Sequence, residues 1–209
     1  MVKPITNIIF DFGGILVDLC PQVSFQEFKA LGVHDIEEML NPYRQKGLFY
    51  QLEMGLLGAD EFAHALSEHA GRTISTEDVR RALVHFVRPP RPERFEYIAA
   101  LRPRYKVYVL SNSNPYMMGY ACSAAFLPNS KGLMDYIDGL FASHLMHKMK
   151  PDAEIYEEMI RQTGMDPAES LFIDDSKDNI AAAAALGFQT LLGENGKDWR
   201  PLLSQRLQS

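Results

Sequence analysis

The sequence predicts an α/β protein, a doubly wound parallel sheet carrying a small all-helical insert. Three observations predict it. Past residue 92, helical and strand periods alternate, as they do in successive βαβ units. From residue 20 to residue 87 the apolar period is helical throughout. The first strand candidate, Ile8-Ile9-Phe10, is solidly apolar, as a strand covered on both faces is, and it runs straight into Asp11.

Taken in order, that first strand is followed by Asp11-Phe12-Gly13-Gly14, where the glycines allow a tight turn close to a ligand. A carboxylate at the carboxyl end of a buried parallel strand lies where open α/β sheets bind ligands. Val23, Phe25, Phe28 and Leu31 then recur near helical spacing, with Gly32 as C-cap. Residues 35–40 read as a second helix, which Pro42 ends or replaces with the next, and residues 43–54 as a third, stopped by Gly55. Residues 60–70 are amphipathic through Phe62, Ala63, Leu66 and Ala70 up to Gly71. Ser75-Thr76-Glu77-Asp78 offers a capping box before Val79, Leu83 and Phe86.

The insert is thus four or five helices. Arg88-Pro89-Pro90-Arg91-Pro92 ends it, since three prolines in so short a run cannot continue a helix and make a stiff linker. This linker reads as one strand of a hinge whose other strand lies near residues 17–21. The division expected is a sheet-based core of residues 1–19 and 88–209, and a helical domain of residues 20–87.

Beyond the linker, residues 93–101 read as helix and residues 105–110 as a strand ending at Ser111-Asn112. Residues 140–142 are a short strand, and residues 152–163 a helix capped by Gly164. Residues 170–173 form a strand ending at Asp174-Asp175, residues 178–186 an Ala-rich helix stopped by Gly187, and residues 189–192 a last strand. Right-handed crossovers would gather Asp11, Ser111 and Asp174/Asp175 on one edge of the sheet. Residues 114–138, rich in aromatics and Met, read as an extra packed helix and loop, with a wall of the site or a subunit contact as the alternatives.

Bulk properties narrow the function. The chain has 209 residues, 46% hydrophobic and 23% charged, with net charge −6 and pI about 5.5. No basic run is present, which argues against a nucleic-acid or anionic-membrane surface, so an anionic substrate must be held by local donors or a metal. Cys20 and Cys122 do not make a disulfide framework, which suits a reducing, cytoplasmic setting. No apolar run is long enough to span a bilayer, and a single Lys before a strand that ends in Asp11 is not a signal peptide.

The strand ends carry chemistry. A carboxylate such as Asp11 can form a covalent aspartyl intermediate. Carboxylates with a free backbone carbonyl suit Mg²⁺, a hard cation that also takes water and a phosphate oxygen. A Ser111 hydroxyl with neighbouring N–H groups cradles phosphoryl oxygens, and Lys150, in Lys148-Met149-Lys150-Pro151, offsets charge in the transition state.

In this order the four pieces resemble the haloacid dehalogenase superfamily. Its four motifs match at Asp11-Phe12-Gly13-Gly14-Ile15-Leu16, at Val107-Tyr108-Val109-Leu110-Ser111-Asn112, at Lys150-Pro151-Asp152 with Ile155-Tyr156, and at Phe172-Ile173-Asp174-Asp175-Ser176 with Asn179. The helical insert falls where the family's type 1 caps sit. Glu53-Met54-Gly55 and Asp60-Glu61-Phe62 resemble caps of the branch that includes α-D-glucose-1-phosphate phosphatase and the phosphatase domain of soluble epoxide hydrolase.

The resemblance implies a Rossmann-like catalytic core under a cap, and Mg²⁺-dependent hydrolysis of a small phosphomonoester, by default a sugar phosphate. It implies Asp11, Ser111 and Lys150 as catalytic residues. Ser111, Asn112 and Lys150 would hold the phosphoryl group, and Asp11, Gly13, Asp174 and Asp175 the metal. One position departs from the pattern: Gly13 stands where the family usually has a second Asp, the general acid. The glucose-1-phosphatase-like proteins resemble this sequence in having glycine there and are still read as phosphatases. Asp18 is a candidate substitute, with capping of the hinge as the preferred reading of that residue. Without an acid, rate should depend steeply on leaving-group pKa. The alternatives are a 2-haloacid dehalogenase, which needs neither metal nor second acid, and a catalytically weak binding protein. Tyr43, Arg44, Tyr50 and Glu53 are candidate cap residues for choosing the substrate, with a structural or solvated role as the preferred reading of each, and no stretch of sequence sets an oligomeric state.

Overall fold

The computed structural model describes residues 3–40 and 46–208. Its centre is a sheet of five parallel strands, β1 (Asn7–Phe10), β2 (Lys106–Ser111), β3 (Gly139–Ala142), β4 (Ser170–Asp174) and β5 (Gln189–Leu192), in the order β3-β2-β1-β4-β5. Phe10 is in register with Val109 on one side and Ile173 on the other. The chain builds outward from β1 to β3 on one side, then returns to lay β4 and β5 on the other. Strand order therefore reverses at β1, and Asp11 stands at the switch point, where such sheets open a crevice for ligands.

Every residue of β1 is buried, because alternate side chains face different cores. Ile8 and Phe10 join Val107, Val109, Leu171 and Ile173 on one face. Ile9 joins Leu110 and Phe172 on the other, against Ile155, Tyr156 and Met159.

Among the described residues five helices separate β1 from the hinge: α1 (Pro21–Ala30), α2 (Ile36–Met39), α3 (Gly47–Glu53), α4 (Ala59–Ala70) and α5 (Thr76–Val84). The capping box at α5 forms, with Ser75 Oγ accepting from Asp78 N–H at 3.1 Å. Residues 41–45, with Tyr43 and Arg44, lie outside the described residues. Phe28, Phe49 and Phe62 stack edge to face, with centroids 5.6 and 5.0 Å apart. Each such pair adds about 0.5–1.5 kcal/mol beyond its area burial. The row continues to Tyr116, whose hydroxyl donates to Ala59 O at 2.6 Å.

The two chain passages between insert and sheet run side by side. Leu19 and Val87 form an antiparallel bridge, Cys20 N–H donates to Phe86 O, and Arg88 N–H donates to Asp18 O, both at 2.8 Å. Asp18 is buried here and ion-paired with Arg91 at 2.6 Å and Arg94 at 2.8 Å. Arg94, itself 1% exposed, also donates to Leu16 O and Lys197 O.

After the hinge come α6 (Pro92–Leu101), α7 (Pro115–Ala121), α8 (Ser143–Met146), α9 (Ala153–Thr163), α10 (Lys177–Ala185) and α11 (Arg200–Arg206). The segment 114–138 is α7 followed by a loop that buries Phe126, Leu127 and Leu133, a packed helix and loop as its composition suggests. Sequence patterning does not announce α8 or α11. The first is a single turn and the second carries too few apolar residues for a period, so tertiary packing makes both. No helix among the described residues is long and apolar enough to cross a membrane.

Candidate active site

The ends of β1, β2 and β4, with the turn before α9, line one cavity of about 360 Å³. Asp11, Gly13, Ser111, Asn112, Lys150 and Asp175 line it from below; Leu40, Tyr50, Glu53, Leu83 and Phe86 of the insert cover it. Of the residues predicted for catalysis, phosphoryl binding and metal binding, all except Asp174 reach the cavity, and Asp174 is fully buried next to Asp175.

Asp11 is fixed by the sheet. Its N–H donates to Ile173 O at 2.8 Å, which continues the parallel ladder for one more residue. Its Oδ1 accepts from Phe12 N–H at 2.6 Å and faces Lys150 Nζ at 2.9 Å. Burial, together with the charges of Asp174 and Asp175, pushes the Asp11 carboxyl up to about 8 against the opposing pull of Lys150.

Lys150 is buried between two carboxylates. Its Nζ lies 2.6 Å from Asp174 Oδ2, 2.9 Å from Asp11 Oδ1 and 3.0 Å from Leu110 O. Although burial opposes the charged form, the two carboxylates hold the ammonium well above the ordinary lysine value. Asn112 sets its backbone through two reciprocal bonds of 2.8 Å: Asn112 Nδ2 donates to Lys150 O, and Lys150 N–H donates to Asn112 Oδ1.

Asp174 and Asp175 look alike in sequence and differ in place. Successive residues leaving a strand point to opposite sides. Asp174 is fully buried, and its oxygens accept from Ser176 N–H (2.8 Å), Asn179 Nδ2 (3.0 Å) and Lys150. Asp175 reaches the cavity, where its Oδ2 is buried with no hydrogen-bond partner. Burial, then the neighbouring Asp174, pushes its carboxyl up to about 6.

Oxygens of Asp11, Asp174 and Asp175 lie within 4.8 Å of one another. Fully ionised, three carboxylates against one ammonium would leave a charge of minus two, which one divalent cation would balance while drawing Asp11 and Asp175 into their ionised forms. The orphaned Asp175 oxygen and the all-oxygen donor set suit a hard cation. The turn is shaped for this cluster: Gly14 takes φ +78°, and a Cβ there would sit 2.6 Å from Asp175 Cγ.

Sequence reasoning missed Ser143, at the end of β3. Its hydroxyl accepts from Ser113 N–H at 2.9 Å and donates to Glu53 O at 2.6 Å. His147 Nδ1–H donates to Met54 O at 2.9 Å. These bonds tie the last turn of α3, in the insert, to the loop that follows Ser111. A small polar residue leaving a strand is the only local signal Ser143 offers.

The chain is similar to known proteins over most of its length. A family model for haloacid dehalogenase-like hydrolases matches residues 5–187. A D-ribitol-5-phosphate phosphatase of Bacteroides thetaiotaomicron is 42% identical over 205 residues, covering 98% of this chain and 100% of that protein. Among solved structures, a predicted HAD-like family hydrolase from Porphyromonas gingivalis superposes with TM-score 0.95 at 43% identity, covering 99% of this chain and 100% of that one. A HAD family enzyme from B. thetaiotaomicron, crystallised as a variant with magnesium and inorganic phosphate, gives TM-score 0.90 at 32% identity, covering 95% of this chain and 98% of that one.

Proposed function

Because the chain belongs to the haloacid dehalogenase-like hydrolase family, we propose that it hydrolyses a small phosphomonoester with Mg²⁺ through an aspartyl-phosphate intermediate. The observation that carries this reading is the meeting of Asp11, Ser111, Lys150 and Asp175 in one cavity beneath the helical insert.

Asp11 is the nucleophile. Its Oδ1 is occupied by Phe12 N–H and Lys150, so Oδ2 attacks phosphorus. Ser111 Oγ and the N–H of Asn112 receive phosphoryl oxygens, and Lys150 offsets their charge. Asn112 has a second task, since its side chain holds the Lys150 backbone. Asp11, Asp175 and the Gly13 carbonyl would hold Mg²⁺. Asp174 stands behind them and acts through Lys150 and Asn179 or through water. When bound, the cation supplies charge neutralisation to the phosphoryl oxygens.

Residues 20–87 act as a cap on a core of residues 1–19 and 88–209, turning at the paired passages around Leu19 and Val87. Tyr50 and Glu53 are then substrate-facing cap residues. The cavity volume suits a small ligand, and the 42% identical D-ribitol-5-phosphate phosphatase points to a polyol or sugar phosphate. Two free cysteines, Cys20 and Cys122, are consistent with a cytoplasmic protein.

The test is phosphate release from a metabolite panel that includes D-ribitol 5-phosphate, with Mg²⁺ and with EDTA, in wild type and in Asp11→Asn. Turnover is expected only with Mg²⁺ and only in wild type. Halide release from 2-haloacids without metal would replace this reading with the dehalogenase one.

A further inference from the structure

The proposed reaction needs a proton that the residues assigned so far cannot supply. An alcohol leaves phosphorus far more easily if its oxygen is protonated as the bond breaks. Gly13 has no side chain, and a Cβ there would already press on Leu19 Cδ2 at 3.1 Å. Asp18 does not line the cavity, and its carboxylate is held by Arg91 and Arg94. Lys150 is locked between Asp11 and Asp174, Asp175 belongs to the cation cluster, and Asp152 sits exposed at the rim.

Among the described residues one more titratable group is buried in the cavity. Glu53, in the last turn of α3, is 6% exposed and lines the roof. No hydrogen bond or ion pair holds its carboxyl among the described residues. The backbone is fixed instead: Glu53 O accepts from Ser143, Met54 O accepts from His147, and a Cβ on Gly55 would sit 2.9 Å from the His147 ring. The groups set around it are Asp11, Lys150 and Asp175 from the core, His144 and His147 from α8 and the residue after it, and Tyr50 on its own helix.

We propose that Glu53, carried by the insert, protonates the leaving oxygen and then takes the proton of the hydrolytic water. The inference rests on the phosphatase reading above. In the first half-reaction the Asp11 Oδ2–P bond forms and the P–O ester bond breaks. The electron pair goes to the ester oxygen, which receives the proton from Glu53 and leaves as alcohol. In the second, water attacks phosphorus, its proton passes to the Glu53 carboxylate, and the Asp11 Oδ2–P bond breaks to release inorganic phosphate. Both residues return to their starting states. Burial, with the Asp11 charge beyond it, pushes the Glu53 carboxyl up to about 8, so it holds its proton at neutral pH.

The experiment compares wild type with Glu53→Gln on substituted phenyl phosphates that span leaving-group acidity, and on D-ribitol 5-phosphate, at saturating Mg²⁺. Glutamine keeps the shape and cannot transfer the proton, and circular dichroism confirms that the variant is folded. With Glu53 intact, log(kcat/KM) should vary little with leaving-group pKa; in Glu53→Gln it should fall steeply as the leaving group weakens. The loss on unsubstituted phenyl phosphate is expected to reach roughly 10²-fold or more, with less than about tenfold on 4-nitrophenyl phosphate. On the nitrophenyl ester kcat should still drop, with a burst of nitrophenolate, because the phosphoenzyme is resolved slowly. An unchanged slope with a loss confined to D-ribitol 5-phosphate would make Glu53 a hydroxyl-binding residue and overturn the proposal. Equal losses on all esters, or none, would overturn it too. A wild type inert to every phosphate ester would remove the phosphatase reading, and this inference with it.

Discussion

Gly14 and Asp175 are packed so closely that a single methyl on the glycine would collide with the carboxylate, its Cβ 2.6 Å from Asp175 Cγ. Gly14→Ala should therefore displace a buried carboxylate oxygen that lacks a partner. It should also strain a backbone at φ +78°, costing roughly 1–2 kcal/mol. The expected outcome is a folded protein with a strongly raised Mg²⁺ half-saturation. Ser111→Ala should lose rate with little change in Mg²⁺ response, because Ser111 meets only phosphate. Activity titrated against Mg²⁺ in both variants checks the contrast, and an unaltered half-saturation in Gly14→Ala would remove Asp175 from the metal set.

Lys150 is the sole cation among three carboxylates. Lys150→Met leaves Asp11 and Asp174 buried without their counter-charge, a situation that costs about 3–5 kcal/mol where one member of a buried pair is removed. Thermal melts should show a large destabilisation in EDTA that Mg²⁺ partly restores. Equal melting temperatures with and without Mg²⁺ would count against a cation bound beside these groups.

Asp18 is a structural anion, and its variant should behave as one. Asp18→Asn strips Arg94, which is 1% exposed, of its carboxylate at the hinge. Stability to urea should fall by about 3–5 kcal/mol. The dependence of kcat/KM on leaving-group pKa should stay as in wild type. A slope that steepens in Asp18→Asn would move the proton-transfer role from Glu53 to Asp18.

The raised Glu53 carboxyl also sets a pH dependence of folding. Its ordinary value is 4.5 and its folded value about 8, so the native state binds the proton more tightly than the unfolded chain does. The stability this contributes is complete below the unfolded value and is lost as pH rises through the folded one. In EDTA, wild type should therefore melt progressively lower from about pH 5 to about pH 8.5. Glu53→Gln should lose less over the same range. A melting-temperature difference between the two that does not change with pH would show that Glu53 is ionised in the native state.

Much of this architecture is written locally. Ile8-Ile9-Phe10 reads as a buried central strand because both faces of β1 are covered, and the acids at its end and at the end of β4 follow directly from where those strands stop. The near-matched helix limits at Pro92–Leu101 and Ala153–Thr163 come from proline and glycine punctuation. What was not legible depends on contacts far apart in the chain. The different tasks of Asp174 and Asp175 appear only once Lys150 and Asn179 arrive on one side. Glu53 is legible in sequence as a candidate cap residue, but its burial over Asp11 is not, because that depends on docking of α3 onto Ser143. Arg94 looks like a surface cation beside a proline-rich linker, yet it is buried between the hinge and the C-terminal segment.

That last contact bears on how the protein is made. Trp199 is 2% exposed, packs on Phe10 with centroids 5.0 Å apart, and donates its indole N–H to Ile15 O at 2.8 Å. Arg94 links Leu16 to Lys197 across the same ground. The loop that leaves the nucleophile is therefore underpinned by some of the final residues of the chain. During synthesis Asp11 emerges first, but its loop waits for Lys197 and Trp199 to emerge before it has its floor. A nascent or prematurely ended chain can thus carry all four catalytic motifs and still lack a finished active site. Activity therefore depends on a stretch around Trp199 that carries no catalytic motif of its own.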